Sequence, residues 1–343
     1  MSRDRGSHNG LGRRRFLKLT GTAAAGAVLS PFVGRIDAAH AAWPADRPVK
    51  IIVANSPGGP SDLSARMISP ALQEALGGTF IVENRPGGGG NIGMQAAIRS
   101  DPDGYTLHLA TSLWAIAPNL ASPPPHDPLK DMLPIVELAA SPTVFVVRAD
   151  SGVKTMKELA ELARKDQSKF NISTPPIGTT LHLGAELFKH REKLDKIAVL
   201  PHTGGGQAIQ ALLSNTVQVC SSSFAPAIPH IEGGTLRAIG VLGDARLPEL
   251  PDVPTAEEQG YKDFNFDTYV ALMAPVKTPV DIIKKIESAS LKAMATPELK
   301  EKFTKAGFVV KPKNAEEHAA RLRREVPLFR SVIESANIKP PGK

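Results

Sequence analysis

Residues 49–66, VKIIVANSPGGPSDLSAR, decide how the rest of the chain is read. Val49–Ala54 is a short apolar run rich in β-branched residues, the pattern of a buried strand. It meets Asn55-Ser56-Pro57-Gly58-Gly59-Pro60, a cluster that cannot continue a strand. Ser61 and Asp62 are then expected to cap a helix, Asp62 also suiting the positive end of its dipole. Leu63, Met67, Ala71, Leu72 and Leu76 give that helix an apolar stripe until Gly77-Gly78 ends it. A strand, a glycine turn and a helix start leave unpaired backbone N–H groups at the edge of a sheet. Such an edge suits a small anion.

The same unit recurs along the chain. Thr79–Glu83 reads as a strand, followed by Gly87–Gly90 and a helix from Asn91. Gly88-x-Gly90-x-x-Gly93 formally matches a dinucleotide fingerprint, yet it does not follow the first strand and lacks the acidic residue at the end of the next one. A helix packed closely on a sheet through its glycines is the favoured reading. Tyr105–Ala110 is a strand ending in Thr111 and Ser112, and Pro123–Pro128 is a surface excursion. Strands at 135–138 and 143–147 precede a second set: helix 156–165, strand 170–173, helix 181–189, strand 197–200, helix 207–213, strand 217–220 and strand 236–242. Strand 267–274 and helices 280–294, 297–306 and 315–336 complete the order. This repetition predicts an α/β fold of two lobes, each a mainly parallel sheet flanked by helices, with the second lobe inserted into the first. Residues 42–147 and 253–343 are expected to form one lobe and 148–252 the other. The hydroxyl- and glycine-rich turns would then face each other across a cleft.

The N-terminus reads as an address. Arg13-Arg14-Arg15-Phe16-Leu17-Lys18 has the twin-arginine export pattern, a mildly apolar stretch follows, and Ala39-His40-Ala41 is a small-x-small cleavage site. Residues 1–41 are expected to be a cleaved signal, placing the mature protein in the periplasm. The formal charge of +7 is largely carried there. Seven of the 41 Lys and Arg and two of the 34 Asp and Glu lie in that segment, leaving the remainder near +2. That balance gives no reason to expect nucleic acid as a partner. The lone Cys220 excludes an intrachain disulfide and is expected to be a buried small hydrophobe. No H-E-x-x-H, G-K-[ST], G-x-S-x-G or haem-attachment motif occurs, and the nine histidines show no metal-ligand spacing. The expectation is therefore no enzyme and no cofactor. An exported enzyme that folds around a redox cofactor, and a ligand sensor for a membrane signalling protein, are the rival classes.

Several segments together carry a family resemblance. They are Pro57-Gly-Gly-Pro-Ser-Asp62, Val82-Glu-Asn-Arg-Pro-Gly87 with Gly90-Asn-Ile-Gly93, Pro102-Asp-Gly-Tyr-Thr106, Lys157-Glu-Leu159, His182-Leu-x-x-Glu186, Leu250-Pro-Asp-Val-Pro-Thr255 and Ala274-Pro-x-x-Thr-Pro279. In this order they resemble the Bug family, periplasmic receptors of tripartite tricarboxylate transporters, over essentially the whole mature chain. The resemblance implies a Venus-flytrap binding protein of type II, expected to be a monomer, that closes on a small carboxylate and delivers it to separate membrane permease subunits. It implies a carboxylate held mainly by backbone groups and waters at the strand–helix turns. The residues expected to bind it are Asn55, Ser56, Gly58, Gly59, Ser61, Asp62, Thr111 and Ser112 from one lobe. Thr174, Gly178, Thr179, Thr180, His202, Gly204 and Ser222 are expected from the other, with Tyr269 on the returning strand. Four places depart from the family pattern. Ala54-Asn55 stands for Pro-Phe, Pro201-His202-Thr-Gly204 for Pro-Tyr-x-Gly, Ser222-Ser223 for Asp-Asn, and Tyr269-Val-Ala271 for Trp-x-Gly.

Overall fold

The computed structural model describes residues 43–338, so the expected signal segment lies outside the described residues. The elements run in chain order. β1 (Val49–Val53), α1 (Pro60–Leu76), β2 (Phe80–Asn84), α2 (Asn91–Ile98), β3 (Thr106–Thr111), α3 (Leu113–Ile116) and β4 (Met132–Ser141) come first. Then follow β5 (Thr143–Arg148), α4 (Met156–Lys165), β6 (Asn171–Thr174), α5 (Thr180–Arg191), β7 (Ala198–Pro201), α6 (Gly205–Leu213), β8 (Val219–Ser223), α7 (Phe224–Glu232) and β9 (Leu236–Leu242). β10 (Thr268–Pro275), α8 (Val280–Ala295), α9 (Pro297–Lys305), β11 (Lys313–Asn314) and α10 (Ala315–Ser335) close the chain.

Two sheets result, with strand orders β11-β4-β10-β3-β1-β2 and β7-β6-β8-β5-β9. The strand–turn–helix units read from the sequence supply the parallel parts. β1 runs parallel to β2 and β3, and β6 runs parallel to β7 and β8. The sheets are nevertheless mixed, not mainly parallel. β10 is antiparallel to β3 and β4, and β5 is antiparallel to β8 and β9. β5 and β10 are the strands by which the chain enters a sheet directly from the other one. Without a crossover helix, such a strand runs opposite to its neighbours.

The same two strands correct the expected boundaries. β5 lies in the second sheet, whereas the sequence order places 143–147 in the first lobe. Residues 254–266 also attach to the second sheet, through Ala256 N–H to Val241 O (2.8 Å) and Phe266 N–H to Leu242 O (3.1 Å). The crossings therefore fall at Pro142 and Asp267. They are neighbours, since the Thr143 hydroxyl donates to Phe266 O at 2.8 Å.

α1 is the first helix to position the cleft. Its N-cap is Gly59 with Pro60 in the first turn, so it starts before the expected caps Ser61 and Asp62, and no side chain caps it. Its buried face is Ser61, Ala65, Ile68 and Leu72, while Leu63 is exposed. The apolar stripe drawn from Leu63 is thus out of phase by part of a turn, because small serines take buried positions that a count of large apolar residues overlooks. The glycine reading of α2 holds. A Cβ on Gly93 would come within 2.7 Å of Ala54 Cα and 2.8 Å of Arg85 O. Cys220 is fully buried, and burial pushes its thiol up to about 12.

A helix and an ion cluster bind the crossings together. α10 packs on β4 and α3 beside the first sheet and on α5 beside the second. The buried Arg321 donates from Nη1 to Glu137 on β4 (2.8 Å) and from Nε to Glu325 (2.7 Å), and also pairs with Asp267 at the return crossing. His318 Nδ1 lies 2.9 Å from Glu137, and Lys313 Nζ lies 3.2 Å from the same carboxylate.

Candidate functional site

Where β1, β3, β6 and β8 end, the turns after them face one another across a cavity of roughly 370 Å³. From the first sheet come Asn55, Pro60, Ser61, Thr111, Ser112, Leu113, Ile116 and Ser141, with Thr268 and Val270 of β10 and Phe308. From the second come Pro175, Pro176, Gly178–Leu181, Gly204, Gly205 and Ser223. No lining residue carries a charge.

The helices α1, α5 and α6 begin on this cavity. α1 starts at Pro60 after Gly59, and α6 starts at Gly205 after Gly204, both without a side-chain cap. α5 starts at Thr180 with Thr179 as its cap, whose hydroxyl accepts from His182 N at 3.2 Å. The first N–H groups of a helix have no partner inside it, and each N-terminus carries roughly half a positive charge. Glycine caps leave those groups open on α1 and α6. The site can therefore hold an anion without any cationic side chain.

Of the sequence-derived candidates, Asn55, Ser61, Thr111, Ser112, Gly178, Thr179, Thr180 and Gly204 line the cavity. Ser56 and Gly58 are exposed and Gly59 is half-buried on the turn beside it. Asp62 is buried and does not line the cavity; its carboxylate accepts Gly58 N–H (2.9 Å) and Arg66 Nε–H (3.0 Å), holding the turn closed. The Arg66 bond, with the Gly58 N–H behind it, keeps this carboxyl below its usual range although burial opposes it. Thr174 is buried, its hydroxyl turned onto Pro175 O, and His202 lies outside the lining.

Ser222 and Tyr269 miss the cavity by one residue each. Side chains alternate along a strand, so a neighbour points the opposite way. Ser222 shares its face with Cys220 and Val144, opposite to Ser223, which lines the cavity. Tyr269 is fully buried against His318, ring centroids 4.7 Å apart, while Thr268 and Val270 on either side line the cavity. Alternation from the buried Cys220 would have found Ser223. Phe308 and Ile116 had no signal, because an apolar residue on a cleft looks like core.

The two lobes touch at the cavity. Thr180 Oγ1 and Thr268 Oγ1 share a hydrogen bond of 2.7 Å across it. A Cβ on Gly178 would come 2.6 Å from Leu120 Cδ1 of the facing lobe, and one on Gly307 would overlap the Ala225 methyl. Gly307 also has φ +83°, a conformation that L side chains rarely adopt. Among the described residues no His, Cys, Asp or Glu grouping suits a metal ion, and no helix is long and apolar enough to cross a membrane.

Two lobes joined by paired crossings, with helix N-termini converging between them, define the class of periplasmic solute-binding proteins. Residues 64–338 match the tripartite tricarboxylate transporter family receptors, and the chain belongs to that family. It is 32% identical over 263 residues to protein BugT of Bordetella pertussis, covering 76% of this chain and 80% of that one. Rpa4515 of R. palustris, solved with adipate, matches with a TM-score of 0.71 at 25% identity, over 87% of this chain and 99% of that one. MatC of Rhodopseudomonas palustris, solved with bound malate, matches with a TM-score of 0.67 at 26% identity, over 84% of this chain and 99% of that one.

Proposed function

We propose that this protein is a periplasmic receptor that captures a small carboxylate in the cleft and delivers it to the permease of a tripartite tricarboxylate-type transporter. The observation that carries the reading is the convergence of the α1, α5 and α6 N-termini on a cavity without a charged side chain. Open backbone N–H groups suit a carboxylate oxygen, and waters can complete its coordination at small entropic cost. Adipate in one solved neighbour and malate in another support a carboxylate as the ligand. Pro142 and Asp267 are the natural hinge, dividing the chain into lobes of 43–142 with 267–338 and of 143–266. In this reading the twin-arginine segment exports the protein, which works as a monomer and alters no bond of its ligand.

Isothermal calorimetry of the mature protein over a panel of mono- and dicarboxylates, with NAD as a control, tests this. Saturable one-to-one binding of at least one acid, with the acid recovered unchanged, is expected. Binding of the dinucleotide and of no acid would overturn the reading.

A further inference from the structure

We infer that the acid this cleft selects has a plain hydrocarbon body, alkyl or aryl, in preference to a hydroxylated one. The inference rests on the carboxylate-receptor reading above and concerns the part of the ligand beyond the carboxylate. The two solved neighbours carry one acid of each kind, so kinship does not decide between them.

The cavity wall decides it on two counts. Leu113 and Ile116 of α3, Leu181 of α5, Val270 of β10 and Phe308 contribute apolar side chains from separate segments on both lobes. Several of the polar side chains among them already bond one another or the backbone. Ser61 Oγ donates to Asn55 Oδ1 at 3.0 Å, and Thr180 and Thr268 bond each other at 2.7 Å. Thr179 Oγ1 donates to Pro176 O at 2.9 Å, and Ser112 Oγ donates to Asp267 O at 3.3 Å. Thr111 Oγ1 accepts from Leu113 N at 3.4 Å and keeps its own proton to donate.

The hydroxyls of Ser141 and Ser223 have no hydrogen-bond partner among the described residues. Ser223 pairs with Thr143, two residues on from Ser141, and both hydroxyls line the cavity. They offer partners to a polar end of the ligand. A hydroxyl on a part of the body that lies against Val270, Leu181 and Phe308 would stay unpaired. Leaving a buried hydroxyl unpaired is costly. An apolar pocket rejects an added hydroxyl by about a hundredfold at most, which sets the scale of the preference.

Matched pairs of acids that differ by one hydroxyl test it: butyrate with 3-hydroxybutyrate, succinate with malate, and benzoate with 4-hydroxybenzoate. In calorimetry the parent acid of whichever pair binds should be about ten- to a hundredfold tighter than its hydroxylated partner. Val270→Thr keeps the side-chain shape and puts a hydroxyl on the floor, and should narrow that ratio by roughly tenfold. Leu113→Thr, at a half-buried position on α3 of the same lobe, does the same should the Val270 variant fold poorly. Hydroxylated partners binding as tightly as their parents, or a ratio unchanged in folded variants of both positions, would overturn the inference and leave the receptor reading standing. No acid of either kind binding would overturn the receptor reading itself.

Discussion

Glu325 stands in the ion cluster at the crossings and should make the stability of the protein fall as pH rises. Its Oε1 accepts from Arg321 at 2.7 Å, and its Oε2 is buried without a partner. Burial raises this carboxyl from the ordinary 4.5 to about 7, with Asp267 and Glu137 adding repulsion that Arg321 only partly offsets. His318, whose proton affinity is lowered by burial, and Lys313 are the other titratable groups of the cluster. A carboxyl raised in the folded state binds its proton more tightly there than in the unfolded chain. Its protonated form therefore supports folding below about 4.5, and that support is lost as pH climbs to about 7. A rise of about 2.5 pH units at about 1.4 kcal/mol each is about 3.5 kcal/mol, most of it lost between about pH 4.5 and pH 7. Glu325→Gln keeps an oxygen for Arg321 and removes the charge. Urea unfolding of both proteins at several pH values should give similar stabilities near pH 5, and a variant about 2–3 kcal/mol more stable than the parent near pH 8. Curves that stay parallel over this range, or a parent that gains on the variant as pH rises, would refute the reasoning.

Three further outcomes follow from the cleft. Asp62→Ala frees the Gly58 N–H and the Arg66 side chain from the turn, and should weaken every carboxylate ligand by about 1–2 kcal/mol in calorimetry, with no change in their rank. Ser222→Asp buries a charge on the core side of β8 and should lower the melting temperature by several degrees without changing charge selectivity; Ser223→Asp points into the cavity and should weaken dianions more than monoanions. Gly307→Ala both strains a left-handed backbone and meets Ala225, so affinity should drop by about tenfold and be partly restored by Ala225→Gly, read as a double-mutant cycle.

The parts of this molecule that were legible in the sequence are those a local rule governs. The run from Val49 to Gly59 marks a strand, a turn and a helix start because Pro and Gly exclude anything else there, and α1 begins on the cavity as that run implies. Gly93 marks a close approach, and the Ala54 backbone is what it approaches. Partnerships between distant residues were not legible. Arg321 reaches back to Glu137 and Asp267, and nothing local to any of them names the others. The same holds for the crossings, where two apolar strands change sheets with no change in composition. Within the cleft the limit is finer, because the period of a strand is two. A family motif brings the right segment to the cavity, but a shift of one residue turns Ser223 into Ser222, or Thr268 into Tyr269, and reverses the face.

A receptor that holds its anion by backbone N–H groups compounds this difficulty, because those groups belong to every residue type. The glycines that open them are visible; the side chains that choose among acids are not. Leu113, Ile116, Val270 and Phe308 read as core in any periodicity count, and three of them are in fact buried. They differ from core only in that one side of each meets the cavity and not another side chain. On the proposed reading, affinity for carboxylates in general traces to a turn that the sequence spells out. Selectivity among them then falls to apolar residues that only their placement distinguishes. Substitutions there should exchange one acid for another while leaving every glycine turn intact.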